Sequence, residues 1–365
     1  YNEIYKSYNQ EKRVMMSKKI NIGVIGAGEN TKKFHIPNFQ KLENVDVVGV
    51  CNRSYESGKK VADEFSIDNV YSNWMDLIED KDIDAICIGT WPYMHEVLVC
   101  ESLKNNKHVM TEARMTFDYE SAKRMLEFSK KSPNLISQIV PAPMTLKFDK
   151  YIRKLIGQNE IGEVIQVDIS INHQTPISLS GGYPDFNSEN HWRSDIDLSG
   201  MNTMQLGIWY EAMMRWVGSA KNVMSSSDLI VKTKKENDDY SFVKIPDNIN
   251  VIGELEIGGL YNIKMSTVKG NAPKDSVWIY GTKGTIQLDC VDYELYIADE
   301  TNDFKKVSVP NEFQSWWRVE EEFVNSIRGE EKITHTTFEI GLKYMEFVEA
   351  VRKSDKNGIR IELFN

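Results

Sequence analysis

The chain of 365 residues contains 44 lysines and arginines against 54 aspartates and glutamates, which gives a formal net charge of −10. This acidic balance argues against binding to nucleic acids, because their phosphates would be repelled. No apolar run reaches the ~20 residues that a transmembrane helix requires. We therefore expect a cytoplasmic protein with neither nucleic-acid nor membrane partners.

The length suits two domains of ordinary size, each with its own core. Residues 1–16 are polar and lack the apolar segment of a secretory signal. Met15-Met16-Ser17 resembles a natural start, so we interpret 1–16 as an N-terminal extension. We place a first domain at 17–142 and a second domain at 143–365.

Short apolar runs alternate with amphipathic stretches in the first domain. The predicted strands are Ile20–Ile25, Val45–Cys51, Ala85–Gly89, His108–Thr111 and Leu135–Val140. The predicted helices are Thr31–Lys41, Tyr55–Glu64, His95–Asn105 and Tyr119–Lys131. Continuous apolar strands separated by helices indicate an α/β domain with a parallel sheet covered on both faces, which is the doubly wound Rossmann arrangement.

A glycine-rich loop follows the first predicted strand and precedes a helix. Gly26 allows the tight turn there, and Gly28 lets the backbone approach a pyrophosphate at the helix N-terminus. Thr31 takes the place of the usual third glycine, and its hydroxyl can bond a phosphate. Glu29 and Asn30 complete the predicted cofactor-binding loop.

The second predicted strand leads into Asn52 and Arg53, where an NAD site usually has an acid that accepts both ribose hydroxyls. Asn52 can hydrogen-bond a ribose without repelling a 2′-phosphate. Arg53 can stack on adenine or pair with that phosphate. NAD and NADP both stay open, with NAD favoured.

Alternating apolar and polar residues are typical of the second domain. The predicted strands are Val164–Ile171, Ile249–Ile257, Tyr261–Val268, Ser276–Ile279, Thr285–Leu288 and Leu295–Ala298. The predicted helices are Phe148–Ile156, Met201–Trp216, Phe313–Ile327 and Phe338–Val351. This period indicates an α+β domain with a large, mostly antiparallel open sheet. The acidic run Glu320-Glu321-Glu322 is expected to lie on a solvated helix face.

The four cysteines, Cys51, Cys87, Cys100 and Cys290, have neither a Cys-x-x-Cys spacing nor paired histidines beside them. We expect reduced, buried thiols and no metal site.

Several motifs together resemble the Gfo/Idh/MocA family of sugar and cyclitol dehydrogenases, over nearly the whole chain after Ser17. They are Gly26–Thr31, Phe34–Pro37, Asp84–His95, Lys107–Glu112, His191–Arg193, Ser199-Gly200 and Leu206-Gly207. The resemblance implies that the first domain binds a nicotinamide dinucleotide. It also implies that the second domain binds a small carbohydrate or glycoside and forms a homo-oligomer. The further cofactor-binding residues it implies are Thr90, Trp91, His95, Glu112 and Ala113, with a role in supporting the cofactor domain favoured for His95.

The catalytic residues of the family are replaced in this chain. The family usually has Glu-Lys-Pro after the fifth strand, where this chain has Glu112, Ala113 and Arg114. The family's helical aspartate and histidine correspond to Gln205 and Trp209. Oxidising a secondary alcohol needs a group that takes the hydroxyl proton while hydride leaves to nicotinamide. Ala113, Gln205 and Trp209 cannot take that proton.

Other residues are therefore candidates for catalysis. His191 is preferred as the base, since it has a suitable ordinary pKa and lies on a polar loop; the alternative is a loop or helix-cap histidine. Lys147 is the next candidate, although it also fits an ordinary helix start. Arg114 could steady a developing alkoxide, and Gln205 is retained as a site residue. The remaining candidates are His173, Tyr183 and Tyr210.

Aromatic side chains are expected to stack on the apolar faces of a sugar. The predicted substrate-binding residues are Trp91, Tyr93, His173, Trp192, Arg193, Trp209 and Tyr210. The leading hypothesis is NAD(P)-dependent oxidation of a secondary hydroxyl of a sugar or glycoside, including C3 of a glucoside to the 3-keto form. One alternative is an NAD-dependent lyase or hydrolase that acts through a transient keto sugar. The other is a catalytically silent dinucleotide-binding sensor or scaffold.

Overall fold

A parallel sheet organises the first part of the chain. Within the described residues its strands are β1 (Ile20–Ile25), β2 (Val45–Cys51), β3 (Asn69–Tyr71), β4 (Ala85–Ile88), β5 (His108–Thr111) and β6 (Ser137–Ile139). They lie in the order β3-β2-β1-β4-β5-β6. The order reverses between β1 and β4, and doubly wound sheets bind ligands at the carboxyl ends of the strands on either side of that reversal. The predicted Rossmann fold is confirmed.

This computed structural model describes residues 19–363 except 173–180, 202, 238 and 302. These residues form two units. The first comprises the chain up to Thr116 together with Glu120–Pro141 and Arg318–Leu342. The second comprises Phe117–Tyr119, Ala142–Trp317 and the chain from Lys343 onward. Residues 318–342 thus join the first unit, whereas the sequence analysis placed them in the second domain.

Helices connect the strands of the first unit and cover its sheet. The helical segments are a π-helical turn (Thr31–His35), α1 (Ile36–Phe39), α2 (Tyr55–Phe65), α3 (Trp74–Glu79), α4 (Pro92–Lys104) and α5 (Tyr119–Lys131). Side-chain caps fix where two of them begin. Ser54 accepts from the backbone N–H of Ser57 at the start of α2, and Asn73 accepts from Met75 N–H at the start of α3.

A large mixed sheet forms the second unit. Its strands are β7 (Val164–Ile171), β8 (Asn222–Asp228), β11 (Asn248–Glu254), β12 (Leu260–Ser266), β13 (Ser276–Gly281), β14 (Thr285–Asp289), β15 (Glu294–Ala298), β16 (Lys305–Val307) and β17 (Ile361–Glu362). In the part of the chain that is described, β7 and β12 are parallel and the other neighbours are antiparallel. The predicted mostly antiparallel sheet is confirmed.

A separate hairpin and several helices complete the chain. The hairpin strands are β9 (Thr233–Glu236) and β10 (Asp239–Phe242). The helices are α6 (Leu146–Gly157), α7 (Ile196–Ser199), α8 (Leu206–Val217), α9 (Val319–Ile327) and α10 (Phe338–Asn357). Tyr210 of α8 stacks on Phe347 of α10 with ring centroids 3.8 Å apart, and Tyr261 of β12 lies against the same ring. These contacts bury one face of the sheet.

The acidic run on α9 is not a solvated face, contrary to the expectation. Glu320 and Glu322 are buried, and Glu321 alone of the three is exposed. Glu322 accepts hydrogen bonds from Gln138 of β6 and from the Thr334 backbone and hydroxyl. Buried carboxylates require such partners, and these ones attach α9 to the first unit.

The four cysteines are buried free thiols, as predicted. No helix among the described residues combines the length and the apolar character needed to cross a membrane. Over the same residues, no three or more histidine, cysteine, aspartate or glutamate side chains are grouped so that they could hold a metal ion.

Candidate active site

The glycine loop makes its turn at Gly26. This residue has φ +83°, and a Cβ added there would lie 2.6 Å from Thr90 Cγ2 and 2.7 Å from Thr90 N. Only glycine therefore fits without a shift. A Cβ on Gly28 would meet Gly89 O at 3.8 Å as its nearest atom, so Gly28 leaves space above the loop for a ligand.

Thr31 is buried and faces the protein interior instead of a phosphate. Its hydroxyl donates to the Gly26 carbonyl at 3.4 Å. A Cβ on Gly89 would overlap Thr31 Oγ1, so Gly89 of the neighbouring connection provides the room that the missing third glycine would have given. The expectation that Thr31 bonds a phosphate is wrong for this geometry. The helical turn that begins at Thr31 and the end of β4 still approach closely, because the glycine at their contact is Gly89 instead of residue 31.

A cavity of about 400 Å³ opens at the carboxyl ends of β1, β2 and β4. Its predicted lining residues are Gly26, Gly28, Asn52, Arg53, Thr90, Trp91 and Tyr93. Its other lining residues include Ser57, Trp74 and Met94, which the sequence analysis missed. Trp74 follows β3, a strand of three residues that is too short to carry a periodic signal.

Asn52 supports the glycine loop directly. Its side-chain Oδ1 accepts the backbone N–H of Ala27 at 2.7 Å. This bond uses the acceptor and leaves the Asn52 amide as a donor at the cavity. Arg53 is exposed at the same cavity. NAD sites usually have an acid at this position, and that acid would repel a 2′-phosphate. The end of β2 instead presents hydrogen-bond donors and a cation.

His95 is fully buried and joins the loops after β4 and β5. Its Nδ1 lies 2.9 Å from the Arg114 carbonyl oxygen, and its Nε2 lies 3.0 Å from that of Thr90. Burial lowers the pKa of His95 below its ordinary value. His95 is not among the residues that line the cavity and is bonded to the Thr90 carbonyl, which agrees with the favoured structural role and not with direct contact to the cofactor.

Glu112 takes part in a buried charge triad. His35 bonds Glu320 through Nδ1 at 2.5 Å and Glu112 through Nε2 at 3.1 Å. Burial by itself lowers the pKa of His35, but the bonds to Glu112 and Glu320 outweigh it and raise the pKa to about 9. The imidazolium in turn holds the pKa of Glu112 below its usual range against the opposing effect of burial. Glu112 is therefore ionised and engaged at neutral pH.

Glu112 is followed in the chain by Ala113, which has no catalytic group, and by Arg114, which is buried. The Ala113 N–H donates to Glu112 Oε2 at 3.2 Å. Arg114 is 2% exposed and lies inside the unit, and its role toward a developing alkoxide stays a prediction. Glu29 and Asn30 are exposed at the start of the helix and are not among the residues that line the cavity.

The second unit has its own polar cavity. The loop around 181–194 and the β9–β10 hairpin form it: Asn190 N–H donates to the Lys235 carbonyl, and Lys235 N–H donates to the Ser188 carbonyl. The charged or titratable residues that line it are Asp185, Glu189, His191, Arg193, Lys234 and Asp247, with Tyr183 beside them. Its buried apolar wall consists of Met204, Val231, Val243 and Ile245.

His191 lies at this cavity as the N-cap of a 3₁₀ turn, Trp192–Ser194. Its Nδ1 accepts the Arg193 backbone N–H at 3.2 Å. Burial, together with the positive charges of Arg193 and Lys234, lowers the pKa of His191. The ring is therefore neutral at pH 7 and has its lone pair on Nδ1 in this arrangement. Arg193 in turn lies over the Trp192 ring at 4.3 Å.

Gln205 lies next to the same cavity in an unusual backbone conformation. Met204 lines the cavity with φ +44°, and Gln205 follows with φ +65° at the start of α8. Consecutive non-glycine residues in the left-handed region cost free energy and occur preferentially at functional sites. The strain therefore marks the position that corresponds to the family's aspartate.

The structure corrects the predictions for two of the substrate-binding residues, Trp209 and Tyr210. Trp209 and Tyr210 are each 1% exposed and belong to the core of the second unit. Tyr210 accepts the Ala220 N–H at 2.9 Å in addition to its stacking on Phe347. Neither ring offers a face to a sugar.

Lys147 lies beside a third cavity, with its ammonium over the rings of Phe148 and Tyr293 at 5.2 and 5.6 Å. The structure thus does not bring Lys147 to the cavity that His191 lines. His173 lies outside the described residues.

The sequence analysis missed Lys234. This lysine belongs to the charged run 232–236, a pattern that predicts a solvated segment, whereas in the structure the hairpin packs on the loop around 181–194.

Comparison with known proteins gives two family matches that cover most of the chain. Residues 20–139 match the "Oxidoreductase family, NAD-binding Rossmann fold" model, and residues 150–287 match the "GFO/IDH/MocA C-terminal domain" model. An oxidoreductase P35 from Formosa agariphila is 28% identical over 75% of this chain and 80% of its own length. An inositol 2-dehydrogenase/D-chiro-inositol 3-dehydrogenase from Lacticaseibacillus casei is 23% identical over about half of each chain.

Solved structures share the fold over almost the whole chain. An oxidoreductase domain protein from Kribbella flavida has a TM-score of 0.82 at 18% identity and covers 95% of this chain and 100% of its own. A levoglucosan dehydrogenase in complex with NADH and L-sorbose has a TM-score of 0.80 at 17% identity, with the same coverage.

Proposed function

The chain belongs to the Gfo/Idh/MocA family of NAD-binding oxidoreductases, and from that premise we propose that it oxidises a secondary hydroxyl of a sugar or glycoside. The observation that carries the proposal is the pair of cavities: one at the glycine loop, and one in the second unit with both an apolar wall and polar groups. Relatives named as inositol and levoglucosan dehydrogenases support a polyhydroxylated substrate.

The first unit has the features that a nicotinamide dinucleotide requires. Gly26 makes the turn, Gly28 leaves open space, and Asn52 fixes the loop through Ala27. When bound, the cofactor accepts a hydride at C4 of its nicotinamide ring. Ser57 and Arg53 would hold its adenosine end, and Trp91 would border it on the other side of the cavity.

The proton that leaves the hydroxyl needs an acceptor in the second unit. We assign it to His191, which is neutral at pH 7 because its pKa is lowered. The Nδ1 lone pair is bonded to Arg193 N–H, so proton uptake exchanges that bond for one to the substrate hydroxyl. Gln205 follows Met204 of the cavity lining, and a small movement of its side chain would let the amide donate to the substrate.

An apolar wall beside polar groups suits a sugar ring, whose C–H face is apolar and whose rim carries hydroxyls. In this chain the wall is formed by Val231, Val243 and Ile245, and His191 and Lys234 lie on the polar side. Among glycosides we place oxidation at C3 of a glucoside first.

The test is incubation of the purified protein with NAD or NADP and a panel of sugars, glycosides and cyclitols, followed by mass spectrometry of the sugars. Loss of two hydrogens from a panel member, most readily from a glucoside at C3, supports the proposal. Release of an aglycone without net NADH identifies the lyase or hydrolase reaction instead. If the protein binds NADH and changes no member, the sugar assignment is wrong.

A further inference from the structure

Lys234 is a partly buried cation that lines the polar cavity of the second unit. It lies on β9, and its Nζ donates to Ser194 Oγ at 3.1 Å. No carboxylate of the described residues lies within 4.0 Å of that ammonium. Burial lowers the pKa of Lys234 against the opposing charges of Asp247 and Asp185. A cation that loses hydration without a carboxylate partner is costly, and a bound anion would offset that cost.

The carboxylates of the same cavity are committed elsewhere or remain in solvent. Asp247 accepts the backbone N–H groups of Ile230 and Val231 at 2.9 and 2.8 Å. Asp185 accepts the Asn187 N–H at 2.9 Å and is exposed. Glu189, the remaining acid of the lining, is also exposed, so water screens its charge.

Two cations, Arg193 and Lys234, line the cavity. Burial and the positive charges of both side chains lower the pKa of His191, which lines the same cavity. The buried wall formed by Val231 and Val243 lies in the same cavity. An occupant that satisfies both the cations and the wall needs an apolar ring face together with an anionic substituent.

We propose that this cavity binds an anionic sugar, one that carries a carboxylate or a sulfate ester, and that Lys234 pairs with its charged group. The proposal rests on the proposed function, because it names the substrate class of that reaction. Lys234 is then a specificity residue: it selects the charged sugar, and His191 keeps the role of proton acceptor.

The test compares Lys234→Gln with Lys232→Gln, a matched control on an exposed lysine of the same segment. The probes are methyl glucuronide, methyl glucoside 6-sulfate and the neutral methyl glucoside.

We expect the native protein to prefer a charged probe, and the charged probe that binds more tightly identifies the anionic group. Lys234→Gln should raise KM for that probe roughly 10- to 100-fold with little change in kcat, as the loss of a charged hydrogen bond implies. Lys232→Gln should leave both parameters unchanged, and Lys234→Arg should restore part of the loss.

Calorimetric binding of the same probes, without turnover, separates the two proposals. Weaker binding of the charged probe to Lys234→Gln, with no probe oxidised, supports the anion site and overturns the dehydrogenase. Oxidation of methyl glucoside in preference to both charged probes, with no effect of Lys234→Gln, overturns the anion site and leaves the dehydrogenase intact. Equal losses on neutral and charged probes also overturn it, because they indicate a structural role.

Discussion

His191 has a structural role and a proposed catalytic role, and substitution can separate the two. Its Nδ1 caps the turn Trp192–Ser194, and the proposed reaction needs the same imidazole as a proton acceptor. Asparagine is a good N-cap residue but has no basic nitrogen. We predict that His191→Asn keeps the stability of the native protein and lowers kcat roughly 10²- to 10⁴-fold, the range for loss of a general base.

The measurement is steady-state kinetics beside urea unfolding and NADH titration. His191→Ala serves as the comparison, since it removes the cap and the base together and should lose stability as well as kcat. Native kcat in His191→Asn would exclude this residue as the proton acceptor.

Asn52 lies at the position from which we expect the choice between NAD and NADP to be made. Its Oδ1 accepts the Ala27 N–H, which an aspartate oxygen can also do. Asn52→Asp therefore keeps the loop and adds a negative charge beside the position of a 2′-phosphate. We predict that NADPH binds roughly 10- to 100-fold more weakly to this variant, while NADH binding changes little. Fluorescence titration measures both. Asn52→Ala, which loses the loop bond, should weaken both cofactors; an equal loss for both in Asn52→Asp would contradict the assignment.

The His35 triad makes stability depend on pH in a defined direction. The pKa of His35 is raised from 6.5 to about 9 in the folded protein, so the folded state holds this proton more tightly than the unfolded state. Its contribution of about 3 kcal/mol is complete below pH 6.5 and is lost as the pH rises through 9. We predict that His35→Gln is less stable at pH 6.5 and lacks this decline.

Guanidinium unfolding between pH 6 and 10 measures the difference. The variant and the native protein should converge in stability toward pH 10, because the neutral imidazole no longer compensates Glu112 and Glu320. If the stabilities of the variant and the native protein differ by the same amount at every pH, proton binding by His35 is not coupled to folding.

At the scale of elements, α8 shows how a helix assigned to the site can belong to the core. Its rings at 209 and 210 were predicted to bind sugar, yet Tyr210 stacks on α10 and bonds Ala220 N–H. We predict that Tyr210→Phe destabilises the protein by about 1–3 kcal/mol, because a buried N–H loses its acceptor, and leaves KM unchanged. Urea unfolding and sugar kinetics test this. A raised KM with native stability would return Tyr210 to the site.

Periodicity predicted the elements that bury a regular pattern and missed the short ones. Val45–Cys51, His108–Thr111 and Tyr119–Lys131 were predicted with the bounds that the structure gives them. β3 and the β9–β10 hairpin were missed, since three- and four-residue strands of mixed polarity carry no clear period. β8 was missed as well, because only two of its seven residues are apolar. The hairpin matters most, because it brings Lys234 into the cavity.

At the scale of the whole molecule, sequence patterns are sufficient for the fold and for the cofactor loop. They are insufficient where burial depends on distant residues. The sequence pattern predicts that Glu320 is solvated, but in the structure it is bonded to His35, which is far away in sequence. The pattern likewise predicts a surface lysine at 234, but in the structure the Lys234 ammonium donates to Ser194 of a loop that partly covers it. Both misreadings have the same cause: local charge runs do not reveal tertiary partners.

The proposed oxidation is tested most directly by following the hydrogen that leaves the sugar. The protein is incubated with NAD and a panel sugar that carries deuterium on the carbon to be oxidised, and the cofactor and the sugars are then analysed by mass spectrometry. Hydride transfer predicts that deuterium appears in the reduced nicotinamide or in a second sugar reduced by it, with matching formation of the keto sugar. A keto sugar that forms while all of the deuterium is released to water would contradict hydride transfer, and so would a panel in which no sugar loses its label.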